Sequence, residues 1–179
     1  MRKLILAVAV IAMLSISAFS QSEPSKFDLF AGYSYTHVSG GGGGTSIPKG
    51  FEFAGTGYFN KNIGITGDVS GHYKSESGVD ANVYQFLFGP TFRADVGRAK
   101  PFAHALFGGS RTGASISGVG SGSTTSFAQA YGGGVDVSAS KNFSVRIVQA
   151  DWIRTSPVDG LTLNYARLSF GIVFNVGSH

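Results

Sequence analysis

The chain has 179 residues, 27 of them glycine and 5 proline, enough to enclose one core and too few for two. It contains no cysteine, which excludes a disulfide scaffold and any thiolate metal site. Charged residues make up 13% of it, and with Arg2 and Lys3 set aside 12 basic residues stand against 10 acidic ones; so thin and so balanced a charge excludes a nucleic-acid binder and asks for surroundings other than water.

Met1-Arg2-Lys3 is a positive head, Leu4 to Ile16 an apolar run, and Ala18 and Ser20 are small residues three and one before a cut ahead of Gln21. This pattern predicts a cleaved secretory signal peptide over 1–20, since the run is short of the roughly 20 residues of a bilayer-spanning helix. Residues 21–26 form a short lead. No later apolar run is long enough for a membrane helix.

Eight segments of alternating character follow, at 27–36, 51–60, 63–73, 82–93, 101–111, 125–138, 143–154 and 163–174. Glycine recurs inside nearly all of them, at a cost of about 1 kcal/mol each in a helix, so the period is two and the segments are strands. Short links at 61–62, 95–98 and 140–142 alternate with long ones at 37–50, 74–81, 112–124 and 155–162. The expected fold class is all-β: an eight-stranded antiparallel up-and-down transmembrane β-barrel over 27–174, with short periplasmic turns and longer extracellular loops. A short tail, 175–179, would follow. Closure is obligatory, because an open strand edge in lipid leaves backbone groups unpaired at several kcal/mol each.

The two faces differ in kind. One carries bulky apolar residues, of which Phe86, Phe88, Leu168, Phe170 and Ile172 are expected to face lipid. The other is mostly glycine, serine and threonine with a few charges, the composition of a narrow filled lumen rather than of a water-facing sheet. It would receive Asp28, Glu52, Asp68, Asp136 and Asp151 together with Arg93, Arg146 and Arg167. Charges in so dry a space must pair, which predicts acid–arginine clusters joining opposite walls. Tyr58, Leu87 and Tyr165 fall on the same inward face, and the phase of His104 is open. Phe143 and Val145 fit one phase while Val148, Ala150 and Trp152 fit the other, which predicts a bulge near Ile147.

Aromatic residues gather at the strand ends. Phe27, Phe59, Phe92, Phe102, Phe143 and Phe174 fall at the short-turn rim, and Tyr35, Phe51, Tyr73, Tyr84, Phe127 and Trp152 at the long-loop rim, as two interfacial girdles would.

Catalytic patterns are thin. Asp68, Ser70 and His72 share a face of one strand, but residues two apart on a strand lie about 7 Å from each other, beyond the reach of a nucleophile–base pair. His37 and Ser39 lie in a glycine-rich loop and are no better placed. The four histidines are dispersed without a zinc or calcium pattern, and Gly40 to Gly44 lacks the lysine of a phosphate loop. The expectation is no enzyme, no metal and no cofactor.

The opening FDLFAGYSY, the ordered set of eight segments and the closing NYARLSFGIVF resemble the small outer-membrane β-barrel domains related to the membrane part of outer membrane protein A and to the adhesion and invasion barrels of Gram-negative bacteria. The words VRIVQADWIRT and LSFGIVF are similar to versions found in acidobacterial-type soil bacteria. The resemblance implies localisation in the cell outer membrane. It also implies contact with outer-membrane lipid and insertion by an assembly machinery that reads the last strand and its terminal aromatic. Phe174 matches that aromatic, although Asn175 to His179 follow it. The implied role is structural or one of surface interaction, with loops 37–50 and 112–124 offered to an extracellular partner, in a monomer that binds no nucleic acid. A small channel for ions or apolar solutes, and a secreted soluble ligand-binding barrel, are the alternatives.

Overall fold

The computed structural model describes residues 25–40, 43–76, 79–116, 120–158 and 161–177, so the expected signal peptide at 1–20 lies outside the described residues. Nine strands form: β1 (Phe27–Gly40), β2 (Gly43–Ile47), β3 (Lys49–Tyr58), β4 (Ile63–Glu76), β5 (Val79–Arg93), β6 (Ala99–Ile116), β7 (Gly120–Ser138), β8 (Phe143–Val158) and β9 (Leu161–Val176). All pairings are antiparallel, and β1 closes on β9 from Phe27 opposite Val176 to Ser39 opposite Asn164. β2 and β3 are two halves of one strand along β1. The partner sequence runs from Tyr33 opposite Phe51 to Thr36 opposite Ile47, so three steps on β1 meet four on its neighbour. The extra residue falls at Pro48, which has no N–H to give to the ladder. The result is the expected closed eight-stranded barrel.

Side chains alternate as the composition requires. Leu29, Phe53, Phe86, Phe88, Leu168, Phe170 and Ile172 are exposed on the outer wall, while Asp28, Glu52, Gln85, Leu87, Arg167, Ser169 and Val173 are buried inside. The apolar groups are therefore outside and the polar groups inside, the reverse of a water-soluble barrel and the arrangement of a lipid-embedded one.

Two boundaries differ from the sequence expectation. Most of the segments expected as long loops are paired strand: Val38 sits opposite Thr45, and the β6–β7 ladder continues to Ile116 opposite Gly120. Gly and Ser, which dominate these stretches, add little strand preference of their own, so the stretches look like loops until the register of a neighbouring strand carries them on. At the other end, β9 continues past Phe174 to Val176, and Asn175 is a buried lumen residue rather than the start of a free tail.

The expected bulge is present. Asp136 lies opposite Arg146, whereas the preceding Val135 lies opposite Val148, leaving Ile147 as the extra residue with both Ile147 and Val148 turned outward. Deleting Ile147 would restore unbroken alternation, with Arg146 in, Val148 out and Gln149 in. The deletion is expected to give a barrel that still folds and shows heat-modifiable gel migration. Deleting Val69, in a regular stretch of β4, is expected to abolish it by turning Asp68 or Ser70 to the outer wall.

At the short-link rim the turns are tight. Asn60 Oδ1 accepts from the amides of Asn62 and Ile63 at 2.9 and 2.8 Å between β3 and β4, and Gly97, at φ 66°, makes the reversal that lets Val96 bridge to Ala99.

Candidate functional site

The lumen is filled in tiers. At the periplasmic floor Arg93 of β5 reaches across to Asp28 of β1 at 2.7 Å and to Ser25 Oγ at 3.1 Å, with its guanidinium 3.8 Å from the centre of the Tyr58 ring. Asn175 of β9 donates to the other oxygen of Asp28 at 2.7 Å and accepts from Ser144 of β8 at 2.6 Å.

Above it, Arg146 of β8 grips Asp136 of β7 through two nitrogens at 2.7 and 3.0 Å and donates to Gln149 Oε1 at 2.6 Å. Its guanidinium lies between the rings of Phe30 and Phe102, at 4.2 and 4.3 Å from their centres. Phe102 is thus a buried lumen residue, not the rim residue expected from its place near a strand end. An arginine paired on its edge still offers two faces, and aromatic faces satisfy them.

The central tier is built on Arg167 of β9, which is fully buried. It donates to Asp68 of β4 at 3.0 and 3.2 Å, to Asp151 of β8 at 2.9 Å and to Ser70 at 3.0 Å, with Glu52 of β3 at 3.5 Å. Gln149 bridges Glu52 and Asp151 at 2.8 and 2.7 Å. Ser169 donates to Glu52 at 2.5 Å, and His104 lies 2.7 Å from Asp151, which settles its phase as inward. A methyl group at Gly132 would overlap the Asp151 carboxylate, so the glycine there is room for this tier.

The roof is divided. On the β5–β9 side Leu87, Leu106, Ala128, Ala130, Ile153 and Tyr165 make an apolar cluster, with Val38 and Leu163 packed against it. On the β1–β4 side His72 lies between Ser34 and Thr36, at 2.9 and 2.8 Å. Between the tiers a cavity of about 10 Å³ is bounded by Glu52, Asp68, His104, Arg146 and Gln149 among others, space for about one water molecule.

The structure therefore gathers the eight charged residues expected inward into three tiers, Arg93 with Asp28, Arg146 with Asp136, and Arg167 with Glu52, Asp68 and Asp151. Gln149, Asn175, Ser169, Phe30 and Phe102 complete the tiers. The inward phase of Gln149, Ser169 and Phe30 was readable from alternation, whereas Phe102 was expected at a rim and Asn175 in a tail; nothing in an amide or a phenyl ring marks it as a partner of a charge. Asp68, Ser70 and His72 share the lumen face without joining as a nucleophile and a base: Ser70 turns to Arg167 and Gln85, His72 to Ser34 and Thr36. Among the described residues no group of histidine and carboxylate side chains is placed to hold a metal ion.

Outside, Phe59, Phe92, Phe143 and Phe174 stand exposed near the short-turn rim, with the last two rings 4.5 Å apart. Tyr35, Tyr73, Tyr84 and Trp152 lie on the outer face toward the other rim. Tyr73 and Tyr84 join edge to face with their hydroxyls at 2.8 Å, and Trp152 stacks on Tyr131.

Beyond that rim the wall divides into two sheets. β7 pairs with β8 only as far as Ala128 opposite Thr155, and β3 pairs with β4 only as far as Lys49 opposite Tyr73. Above these points β4, β5, β6 and β7 stay paired, and Gly120 to Phe127 of β7 has β6 on one side and, among the described residues, no strand on the other.

A family profile described as the outer membrane protein beta-barrel domain matches residues 6–175. Among solved structures the chain is similar to Neisserial surface protein A, at 17% identity and a TM-score of 0.69, covering 84% of this chain and 97% of that one. It is also similar to the attachment invasion locus protein Ail of Yersinia pestis, at 22% identity and a TM-score of 0.58, covering 84% and 99%. A second structure of Ail, in complex with the heparin analogue sucrose octasulfate, aligns at 22% identity and a TM-score of 0.60 over the same shares. No curated protein matches the chain.

Proposed function

Because the chain belongs to the outer membrane protein beta-barrel domain family and resides in the outer membrane, we propose that it is a surface-interaction barrel. Its lumen is an internal brace, and its β4–β7 extension is the part that meets an extracellular partner. The observation that carries this reading is the unpaired edge of β7 from Gly120 to Phe127. A strand edge in water is ordinarily blunted by lysine, proline or a covering segment. GSGSTTSF has none of these residues, and its first six residues are exposed. Such an edge takes an extended segment of another chain by main-chain hydrogen bonding, with side-chain pockets adding little. The occupant this favours is a flexible polar segment of a host or neighbouring-cell protein.

The filled lumen supports the same reading. Paired charges, an apolar half-roof and a water-sized cavity occupy the lumen, which favours a brace over a channel. Tiers that tie β1 to β5, β3 to β8 and β4 to β9 hold the wall rigid beneath the projecting sheet. Outer-wall residues such as Phe86, Phe170 and Ile172 take the lipid, and the rim aromatics act as interfacial girdles.

The test selects phage-displayed peptides on the refolded barrel. Selected peptides are expected to slow amide exchange at Gly120 to Phe127 and to lose binding when residues 112–124 are replaced by an Asn-Gly turn. Peptides that bind the shortened barrel equally well would refute the reading.

A further inference from the structure

On the outer wall, where β5, β6 and β7 leave the rim, lies an open groove of about 580 Å³. Asn82, Arg111, Ser121 and Ser123 line its polar part and Tyr84 and Phe86 its aromatic part. Arg111 is exposed, donates to Ser123 Oγ at 3.2 Å and meets no carboxylate among the described residues. The outward acid on β5, Asp80, accepts instead from Ser75 Oγ of β4 at 2.5 Å. We propose that this groove binds the phosphate of an outer-leaflet lipid, with Arg111 and the serine hydroxyls on the phosphate and the acyl portion lying along Tyr84 and Phe86.

Depth is the first argument. Arg111 lies directly opposite Tyr84 in the ladder, and Tyr84 shares a hydroxyl contact with Tyr73. Paired tyrosines whose rings cover the apolar wall and whose hydroxyls reach the polar side mark the level of lipid headgroups. A guanidinium at that level faces phosphate, which it meets with two parallel donors. Lys49 lies opposite Tyr73 on the far side of the pair, so two cations flank the tyrosines on this sector of the wall.

The amphipathic lining is the second argument. A soluble anion would use only the Arg111 part of the groove, whereas a lipid uses both parts, and the aromatic part runs on into the exposed wall of Phe86 and Phe88. Gly113 contributes by its missing side chain: a methyl group there would overlap the Asn82 carboxamide, which instead lies in the groove.

The proposal rests on the outer-membrane placement but not on the free edge of β7, which is the other margin of that strand, so either can fail alone. The experiment uses the full mature barrel in maltoside micelles and scores bound lipid by native mass spectrometry, with bisphosphorylated lipid A and its dephosphorylated form as probes. The wild type is expected to retain the phosphorylated form over the dephosphorylated one, and Arg111→Gln to lower that retention about fivefold, the effect of one cation near an anionic lipid surface. Arg111→Lys should keep most of it. Ser121→Trp should lose it with Arg111 intact, because the indole fills the groove. These positions are exposed, so heat-modifiable migration should be unchanged in every variant. Equal retention of the two lipid forms by the wild type, unchanged retention by Arg111→Gln, or displacement of bound lipid by inorganic phosphate alone would overturn the proposal.

Discussion

Replacing Arg167 with alanine is expected to destabilise the barrel by about 3–5 kcal/mol, the cost of breaking a buried ion pair from one side. Its guanidinium is shielded from solvent and stands among three carboxylates, Asp68, Asp151 and Glu52, contributed by three strands. Without it those carboxylates would face one another across a space too small to hydrate them, with His104, Gln149 and the serines as their remaining partners. Urea titration of the protein in phosphatidylcholine vesicles, scored by heat-modifiable migration, would read the loss. The reverse changes should behave differently. Three carboxylates around one arginine repel each other, so Asp68→Asn or Glu52→Gln removes repulsion along with attraction and is expected to cost far less. Combining Arg167→Met with Asp68→Asn and Asp151→Asn should recover much of the loss, because the penalty lies in the unpaired charge rather than in the missing contact. A single Arg167→Ala variant that unfolds at the wild-type urea concentration would show that the central tier carries no net stability.

That arginine illustrates what the sequence discloses and what it does not. Arg167 sits between Ala166 and Leu168 in a strand whose other phase is Leu168, Phe170 and Ile172, so its inward direction follows from period two alone. Its partners do not, because Asp68 is 99 residues away and the choice among five inward acids depends on how far the strands are staggered around the barrel, a quantity no single strand encodes. The bulge at Ile147 was legible because it reverses a phase on either side of itself, a local signal. Phe102 was not, because β6 puts a phenylalanine in each phase, Phe102 inward and Phe107 outward, and only the approach of Arg146 from β8 distinguishes them. The rise of β4 to β7 above the rim was invisible for another reason. Gly120 to Thr125 has the composition of a loop and becomes strand through its pairing with β6, so the same residues that hide the extension from a sequence reading also leave its outer edge free of blocking side chains.

The largest effect on the outer wall is expected from Phe170→Arg, which puts a charge midway along β9 where the side chain is 56% exposed and next to Tyr33 of β1. If lipid lies against that wall, the substitution should cost about 2–4 kcal/mol at the bilayer midplane, while the same arginine at Phe59 or Val176, near the short-turn rim, should cost about 0–1 kcal/mol. The contrast separates lipid from water directly. All three positions are exposed and none donates a side-chain hydrogen bond, so in a water-soluble barrel an arginine at any of them would be nearly neutral or favourable and depth would not matter. Refolding each variant into phosphatidylcholine vesicles and comparing urea midpoints gives the profile. A graded penalty, steep at Phe170 and slight at Phe59, is the expected result, and a flat profile would remove lipid from the outer wall and with it the depth argument for the Arg111 groove.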